Sequence, residues 1–199
     1  VENIGNTEWT VTANAQAQNS DHDITGWVDF DSPLSKLLSE PGGSQDSHTF
    51  TFIVTPDDSV ESGTQVGIKI QGRAGTSVGC EQILTVTVGQ SHDAIMSLSK
   101  NKLSNVEPGS SDTVTVQITN QGNGMETMSI GATGLPPGWQ ISFSQTSVTV
   151  GSSHSGNNKE TVTAEVFIPE DASAAEDTVI TFTVGRGGGS SPYDTKELT

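Results

Sequence analysis

The sequence predicts an all-β chain made of two tandem β-sandwich domains, and three observations lead to this prediction. Short runs alternate apolar with polar residues, as half-buried strands do, and clusters of Gly, Pro, Asn, Asp and Ser separate these runs. The hydrophobic fraction is 31%, which is low but sufficient for the thin cores of sandwiches. The two halves of the chain also share the same landmarks, which indicates a duplicated unit.

The alternating runs predict antiparallel strands with one face in the core and one face in water. In the second half they are "DTVTVQIT", with Val114, Val116 and Ile118 on one face, "ETVTAEVFIP" and "TVITFTVG". In the first half they are "HTFTFIVTP", "QVGIKIQG" and "QILTVTVG". Several such strands in each half are typical of a sandwich.

One segment, Ser32–Glu40, predicts a short helix instead of a strand. Leu34, Leu37 and Leu38 lie at helical spacing, and Pro33 is suitably placed for a first helical turn. We expect this helix to lie in a loop between strands.

The internal repeat sets the predicted domain boundaries. Landmarks of the first half recur in the second with an offset that drifts as loop insertions would make it drift. The matched residues are Asn3, Gly5 and Asn6 with Asn120, Gly122 and Asn123, and Trp27 with Trp139. The predicted domains are residues 1–89 and 94–199, joined by a short linker at 90–93.

The repeat also predicts that the first sandwich lacks its N-terminal strands. In the second copy the runs "AIMSLS" and "DTVTVQIT" precede the turn after Asn120, whereas only Val1 and Glu2 precede Asn3. At the other end Thr199 aligns with Thr85. An open apolar edge is expected, and either truncation or donation of strands by a neighbouring chain explains it.

The charge excludes some classes of partner. The chain carries 24 acidic and 8 basic residues, a net charge of −16, so nucleic acid and anionic membranes are repelled. Such self-repulsion suits a salty environment in which it is screened. No apolar run approaches the ~20 residues that span a bilayer, so direct membrane insertion is not expected.

Residues that could carry chemistry are few. The four histidines lie in separate hydrophilic segments, and no nucleophile elbow or phosphate-binding glycine loop is present, so no catalytic residue is predicted. A hard cation needs several oxygen ligands from flexible turns, which makes Asp29, Asp31 and Asp93 candidate calcium ligands; no other cofactor is predicted. The single cysteine, Cys80, is interpreted as a small, mostly buried residue.

The stretch "GLPPGWQISFS" places Trp139 after two prolines and a glycine, and two interpretations arise. An indole exposed on a stiff loop is a platform for a sugar ring, whereas a buried indole fills a core. The first copy shares only the Gly-Trp dipeptide, Gly26-Trp27, without the proline turn. A ligand platform is expected to keep its presenting loop, so the core interpretation is favoured for both tryptophans.

The runs "VTVQITNQGNG", "GLPPGWQISFS" and "VTAEVFIPEDASAAEDTVITFTV" resemble the NPCBM-associated domain of the alpha-galactosidase type and the related cell-adhesion domains of bacterial and archaeal surface proteins. The resemblance covers Ala94–Thr199 well and Val1–Gly89 loosely. It implies an immunoglobulin-like fold for both copies. It also implies an extracellular, cell-surface location, as in surface-layer or adhesin-type proteins.

The expected function is therefore that of a non-catalytic spacer repeat in a larger secreted or surface protein. Its expected partners are neighbouring domains or other copies of that protein. The alternative is an accessory module of a secreted glycoside hydrolase that binds polysaccharide.

Overall fold

A computed structural model describes residues 1–19, 22–31, 33–172, 178–187 and 191–199. Every regular element within these ranges is a β-strand, and none of them contains a helix. It follows that no helix in the described ranges is long and apolar enough to cross a membrane. The chain divides into two compact units, unit 1 (Val1–Gly89) and unit 2 (Gln90–Thr199).

The described residues of unit 1 form six strands in two antiparallel sheets. The strands are β1 (Trp9–Ala17), β2 (Val28–Phe30), β3 (Ser35–Leu38), β4 (Phe52–Val54), β5 (Gln65–Ala74) and β6 (Ser77–Thr87). One sheet has the order β3-β1-β5-β6, and the other contains only β2 and β4. One cluster of buried side chains consists of Trp27, Val66, Ile68 and Val88 with half-buried neighbours, and Val11 and Leu38 are buried as well.

In unit 2 the part of the chain that the structure describes forms eight strands in two four-stranded antiparallel sheets. The strands are β7 (Ala94–Leu98), β8 (Ser111–Asn120), β9 (Glu126–Thr133), β10 (Gln140–Phe143), β11 (Ser147–Val150), β12 (Lys159–Phe167), β13 (Ile180–Arg186) and β14 (Asp194–Leu198). Their orders are β10-β12-β8-β7 and β11-β9-β13-β14. Both sheets contribute to a single core, which is consistent with a β-sandwich.

The alternation read from the sequence accounts for the core of unit 2. Val114, Val116 and Ile118 of β8 are fully buried, and Thr115 and Gln117 between them are exposed. On the opposite sheet Phe182 is fully buried and meets Phe143 edge-on, with ring centroids 6.0 Å apart. The period of two thus places one face of each strand in the core.

The strand orders of the two units correspond. The sheet β3-β1-β5-β6 of unit 1 has the same order as β11-β9-β13-β14 of unit 2, and the pair β2-β4 corresponds to β10-β12. Strands β7 and β8, which complete the second sheet of unit 2, have no counterpart in the described part of unit 1. Unit 1 therefore has one full sheet and one half sheet.

The predicted helix at Ser32–Glu40 is wrong. Ser32 lies outside the described residues, and Ser35–Leu38 forms strand β3, which pairs with β1 from Trp9↔Leu38 to Thr12↔Ser35. Leu38 is fully buried while Leu34 and Leu37 are about half exposed, so the buried positions follow strand periodicity. Tertiary pairing with β1 overrides the helical spacing of the leucines.

The predicted burial of Cys80 is also wrong, because its side chain is exposed. Cys80 lies on β6 opposite Gly72, and most of β6 is exposed along its length. Among the described residues β6 is the last strand of its sheet, so its outer edge has no strand partner.

Candidate functional site

The candidate calcium ligands do not converge in either unit. Asp29 and Asp31 lie in unit 1 at the end of β2, Asp93 lies in unit 2, and all three side chains are exposed. Within the described ranges, no group of three or more His, Cys, Asp or Glu side chains is arranged to hold a metal ion. Calcium binding by Asp29, Asp31 or Asp93 stays a prediction.

The tryptophans of the two units follow the same turn. The Trp27 amide donates to the Ile24 carbonyl at 2.9 Å, and the Trp139 amide donates to the Pro136 carbonyl at 3.1 Å. The glycine before each tryptophan has a φ of 83°, as the third position of a type II turn requires. The expectation that the first copy lacks this turn is wrong, because "DITGW" forms it without the prolines of "LPPGW".

Burial of the indoles supports the core interpretation. Trp27 is 2% exposed and belongs to the core of unit 1. Trp139 is partly buried and packs against the edge of the core of unit 2. Neither indole stands free on its loop as a sugar platform would, and the two contribute unequally to their cores.

A buried asparagine organises one end of each unit, and we call these residues the asparagine hubs. In unit 2 the side-chain amide of Asn120 donates from Nδ2 to the backbone carbonyls of Gly124 and Gly151, both at 2.8 Å. Its Oδ1 accepts from the backbone amide of Gly122 at 2.8 Å. The side chain is fully buried. One residue thereby fixes the turn after β8 and joins it to the end of β11.

Unit 1 repeats the hub with Asn3. The side-chain amide of Asn3 donates from Nδ2 to the backbone carbonyls of Thr7 and Ser39 at 2.9 and 2.7 Å. Its Oδ1 accepts from the backbone amide of Gly5 at 2.9 Å. Ser39 follows β3 as Gly151 follows β11. The match that the sequence suggested between Asn3 and Asn120 is therefore a match of hydrogen bonds.

A second buried polar group in unit 2 is the carboxylate of Glu126, whose side chain is 4% exposed. Its Oε2 lies 2.9 Å from His92 Nδ1, and its Oε1 accepts from the Tyr193 hydroxyl at 2.8 Å. Arg186 Nε lies 3.8 Å from Oε1. The groups of this cluster are engaged with one another, so its arrangement suits a structural role.

The cluster and its surroundings hold the predicted linker within unit 2. Besides the His92 contact, the Ser91 amide donates to Asn123 Oδ1 at 2.8 Å, and the Asp93 carbonyl accepts from the Gln121 amide at 2.9 Å. A Cβ on Gly122 would lie 2.3 Å from the Ser91 carbonyl oxygen, so only glycine allows this close approach. Residues 90–93 are therefore fixed along the turn after β8.

The Tyr193 hydroxyl offers a direct test of the cluster. Burial first, and then the hydrogen bond to Glu126, raise the pKa of Tyr193 to about 12 from its ordinary value of 10.0. Because the chain contains one tyrosine, an absorbance titration reports this group alone. We expect a midpoint near pH 12 in the folded protein and near 10 in denaturant.

The sign of the accompanying stability change follows. The folded state holds the tyrosine proton more tightly, so the stabilisation is complete below pH 10 and is lost as the pH rises toward 12. Glu126→Gln should lower the midpoint, whereas Glu197→Gln, an exposed carboxylate of the same unit, should leave it unchanged. A folded-state midpoint equal to that of the denatured chain would contradict the cluster.

Unit 1 carries an apolar groove beside β4, which we call the β4 groove. Its volume is about 410 Å³. Its lining includes apolar side chains from the N-terminus and from both sheets, among them Val1, Ala13, Phe50, Phe52, Ile70 and Cys80. No strand of the described chain pairs with β4 on this side. The groove lies where unit 2 places β8 and β7.

Sequence reasoning matched Asn3 with Asn120 but did not predict their hydrogen bonds, and it did not find the Glu126 cluster. The available signal was the register of β9, since Glu126 shares the inward face with Met128 and Ile130. No family model matches the chain, and no curated protein matches it either.

Proposed function

We propose that the chain is a pair of immunoglobulin-like β-sandwich repeats that act as a non-catalytic spacer in a larger secreted or cell-surface protein of the surface-layer or adhesin type. The partners expected of such a spacer are neighbouring domains or further copies of the same protein. Its buried polar groups serve the fold, and its acidic surface keeps the repeat soluble and discourages unspecific contacts.

One observation carries the proposal, namely that both units build the same hub and the same turn. Asn3 and Asn120 bond to equivalent carbonyls, and Trp27 and Trp139 follow equivalent glycine turns. Tandem units with common structural landmarks are typical of arrays whose function is to extend and present. The resemblance to cell-adhesion-related domains points in the same direction.

The polysaccharide-binding alternative makes a different prediction. A platform needs exposed, coplanar aromatic side chains, and the indoles of Trp27 and Trp139 instead pack on their cores. We therefore expect no retention of the chain on insoluble chitin, cellulose or mannan. Retention that is lost in Trp139→Ala while the fold is preserved would favour the accessory-module function.

The acidic surface predicts a strong salt dependence of stability. With a net charge of −16, repulsion within the folded chain should be relieved by screening. We expect the melting temperature to rise between low ionic strength and about 1 M sodium chloride, where the Debye length falls to ~3 Å. Potassium chloride should act equally, because the effect is one of screening. A flat or falling melting temperature would count against an adaptation to salt.

A further inference from the structure

The first three residues of the chain already follow the path of a missing strand. The Val1 and His48 backbones exchange two hydrogen bonds, both at 2.8 Å. Glu2 forms a β-bridge with Ser47, and the backbone amide of Asn3 donates to the Asp46 carbonyl. In unit 2 the end of β8 is held in the same way. Thr119 pairs with Lys159, and the backbone amide of Asn120 donates to the Asn158 carbonyl. Val1–Asn3 therefore corresponds to the last three residues of β8.

Beyond Val1 the half sheet of unit 1 is left uncovered. In unit 2, β8 continues along β12, and the inward residues Val162, Ala164 and Val166 are fully buried. The corresponding inward positions of unit 1 hold apolar residues, two of them larger than their counterparts, that are only half-buried. They are Phe50, Phe52 and Val54. The edge of β4 is thus apolar, and its expected partner is a strand.

A second strand is missing beside the first. In unit 2, β7 pairs with β8 and also contacts β14 of the other sheet. The Met96 backbone amide donates to Asp194 Oδ2 at 2.8 Å, and Leu198 of β14 is 1% exposed. The alignment of Thr85 with Thr199 places Leu84 at the position of Leu198 and Cys80 at that of Asp194. Leu84 is 36% exposed, and Cys80 is exposed as well.

We propose that the β4 groove binds a two-stranded antiparallel β-segment equivalent to β7 and β8, the second strand of which runs directly into Val1. The pairing follows from the register of unit 2, where Val116 lies opposite Val162 and Val114 opposite Ala164. The residues at those two positions of the added strand would face Phe50 and Phe52. The strand before it would pass over Cys80 and Leu84 and close the core.

The occupant is a segment continuous with Val1 and not a second copy of the chain. Val1–Asn3 holds the end of the strand position, and the hub at Asn3 fixes the following turn. A strand from another molecule would have to end before Val1, because Val1–Asn3 already occupies the end of the strand position. The ladder of hydrogen bonds would then be interrupted at that point. A continuous segment gains every ladder hydrogen bond without that break. The proposal does not depend on the spacer function.

The test adds a copy of residues 94–117 in front of Val1 of the full chain, so that Val1 follows the copied Gln117 as Ile118 does in unit 2. Cys80 is the single cysteine and lines the groove, which makes it a specific reporter. We expect the rate at which Cys80 reacts with a thiol reagent to fall about tenfold or more, because reaction then requires local opening. Hydrogen exchange in β4 and β6 should slow in parallel.

A matched control carries Val114→Asp and Val116→Asp in the added copy only. These carboxylates would face the core, so Cys80 should react as fast as in the unextended chain. If the extended protein does not fold, a synthetic peptide of residues 94–117, added to the unextended chain, provides the same test. Protection of Cys80 that rises with peptide concentration supports the proposal.

Two results would overturn it. One is an unchanged Cys80 rate in the folded, extended chain, or with saturating peptide where the extended chain does not fold. The other is a dimer of the unextended chain, seen by light scattering, in which Cys80 is already protected and becomes reactive on dilution. The latter would identify a second copy as the occupant.

Discussion

Replacing Asn120 by alanine is expected to lower the free energy of unfolding of unit 2 by about 3–5 kcal/mol, because each buried polar group left without a partner costs about 1–3 kcal/mol. The substitution removes the donors to Gly124 and Gly151 and the acceptor of the Gly122 amide. All of these bonds are buried, so water cannot replace them without opening the turn. Peptide-resolved hydrogen exchange on the full chain measures the change in β8, β9 and β11.

Two further variants define the origin of the effect. Asn120→Asp keeps the acceptor for Gly122 but directs a carboxylate oxygen at the carbonyls of Gly124 and Gly151, so it should be at least as destabilising as alanine. Asn101→Ala removes an exposed asparagine of the same unit and should change stability by less than about 0.5 kcal/mol. A stable Asn120→Asp protein would show that the donor bonds are unimportant.

Trp27→Ala is expected to unfold unit 1, with a loss of about 3–5 kcal/mol. The indole is 2% exposed and is the largest member of a small cluster of buried side chains that it forms with Val66, Ile68 and Val88. A small core has little capacity to collapse around the resulting cavity. Hydrogen exchange of β1, β5 and β6 should approach that of an unfolded chain, while the exchange of unit 2 stays unchanged.

The matched substitution in unit 2 is Trp139→Ala. Trp139 is only partly buried at the edge of a much larger core, so its loss should cost clearly less than that of Trp27. The core interpretation taken from the sequence alone predicts a loss of about 3–5 kcal/mol for Trp139→Ala. Equal effects in experiment would contradict the difference in burial, and a conservative Trp27→Phe variant should recover part of the stability of unit 1.

The sequence predicted the strands well where alternation and pairing agree. Val114, Val116 and Ile118 are buried as their period of two requires. The helix prediction failed because the spacing of Leu34, Leu37 and Leu38 fits a helical stripe as well as a strand. Only the pairing of this segment with β1 decides between the two structures. Local spacing does not contain that long-range information.

The candidate sites were less predictable for related reasons. Prolines marked the turn before Trp139, but a type II turn depends chiefly on the glycine, so the turn before Trp27 was overlooked. Cys80 was expected to be buried because its residue type usually is, whereas it lies on β6, which is exposed along most of its length. Glu126 accepts a hydrogen bond from Tyr193, the residue just before β14. The two residues are far apart in the sequence, and no spacing rule connects them.

The asparagine hubs have a consequence for how such repeats diverge. Each hub bonds only to main-chain atoms, so it places no demand on the side chains around it. The surrounding core has changed freely, with Phe52 of unit 1 standing where unit 2 has Ala164, and Trp9 standing where unit 2 has Glu126. A sequence can thus drift beyond recognition in its interior and still keep an asparagine followed two positions later by glycine. That short pattern is shared by the two units and marks equivalent positions in them.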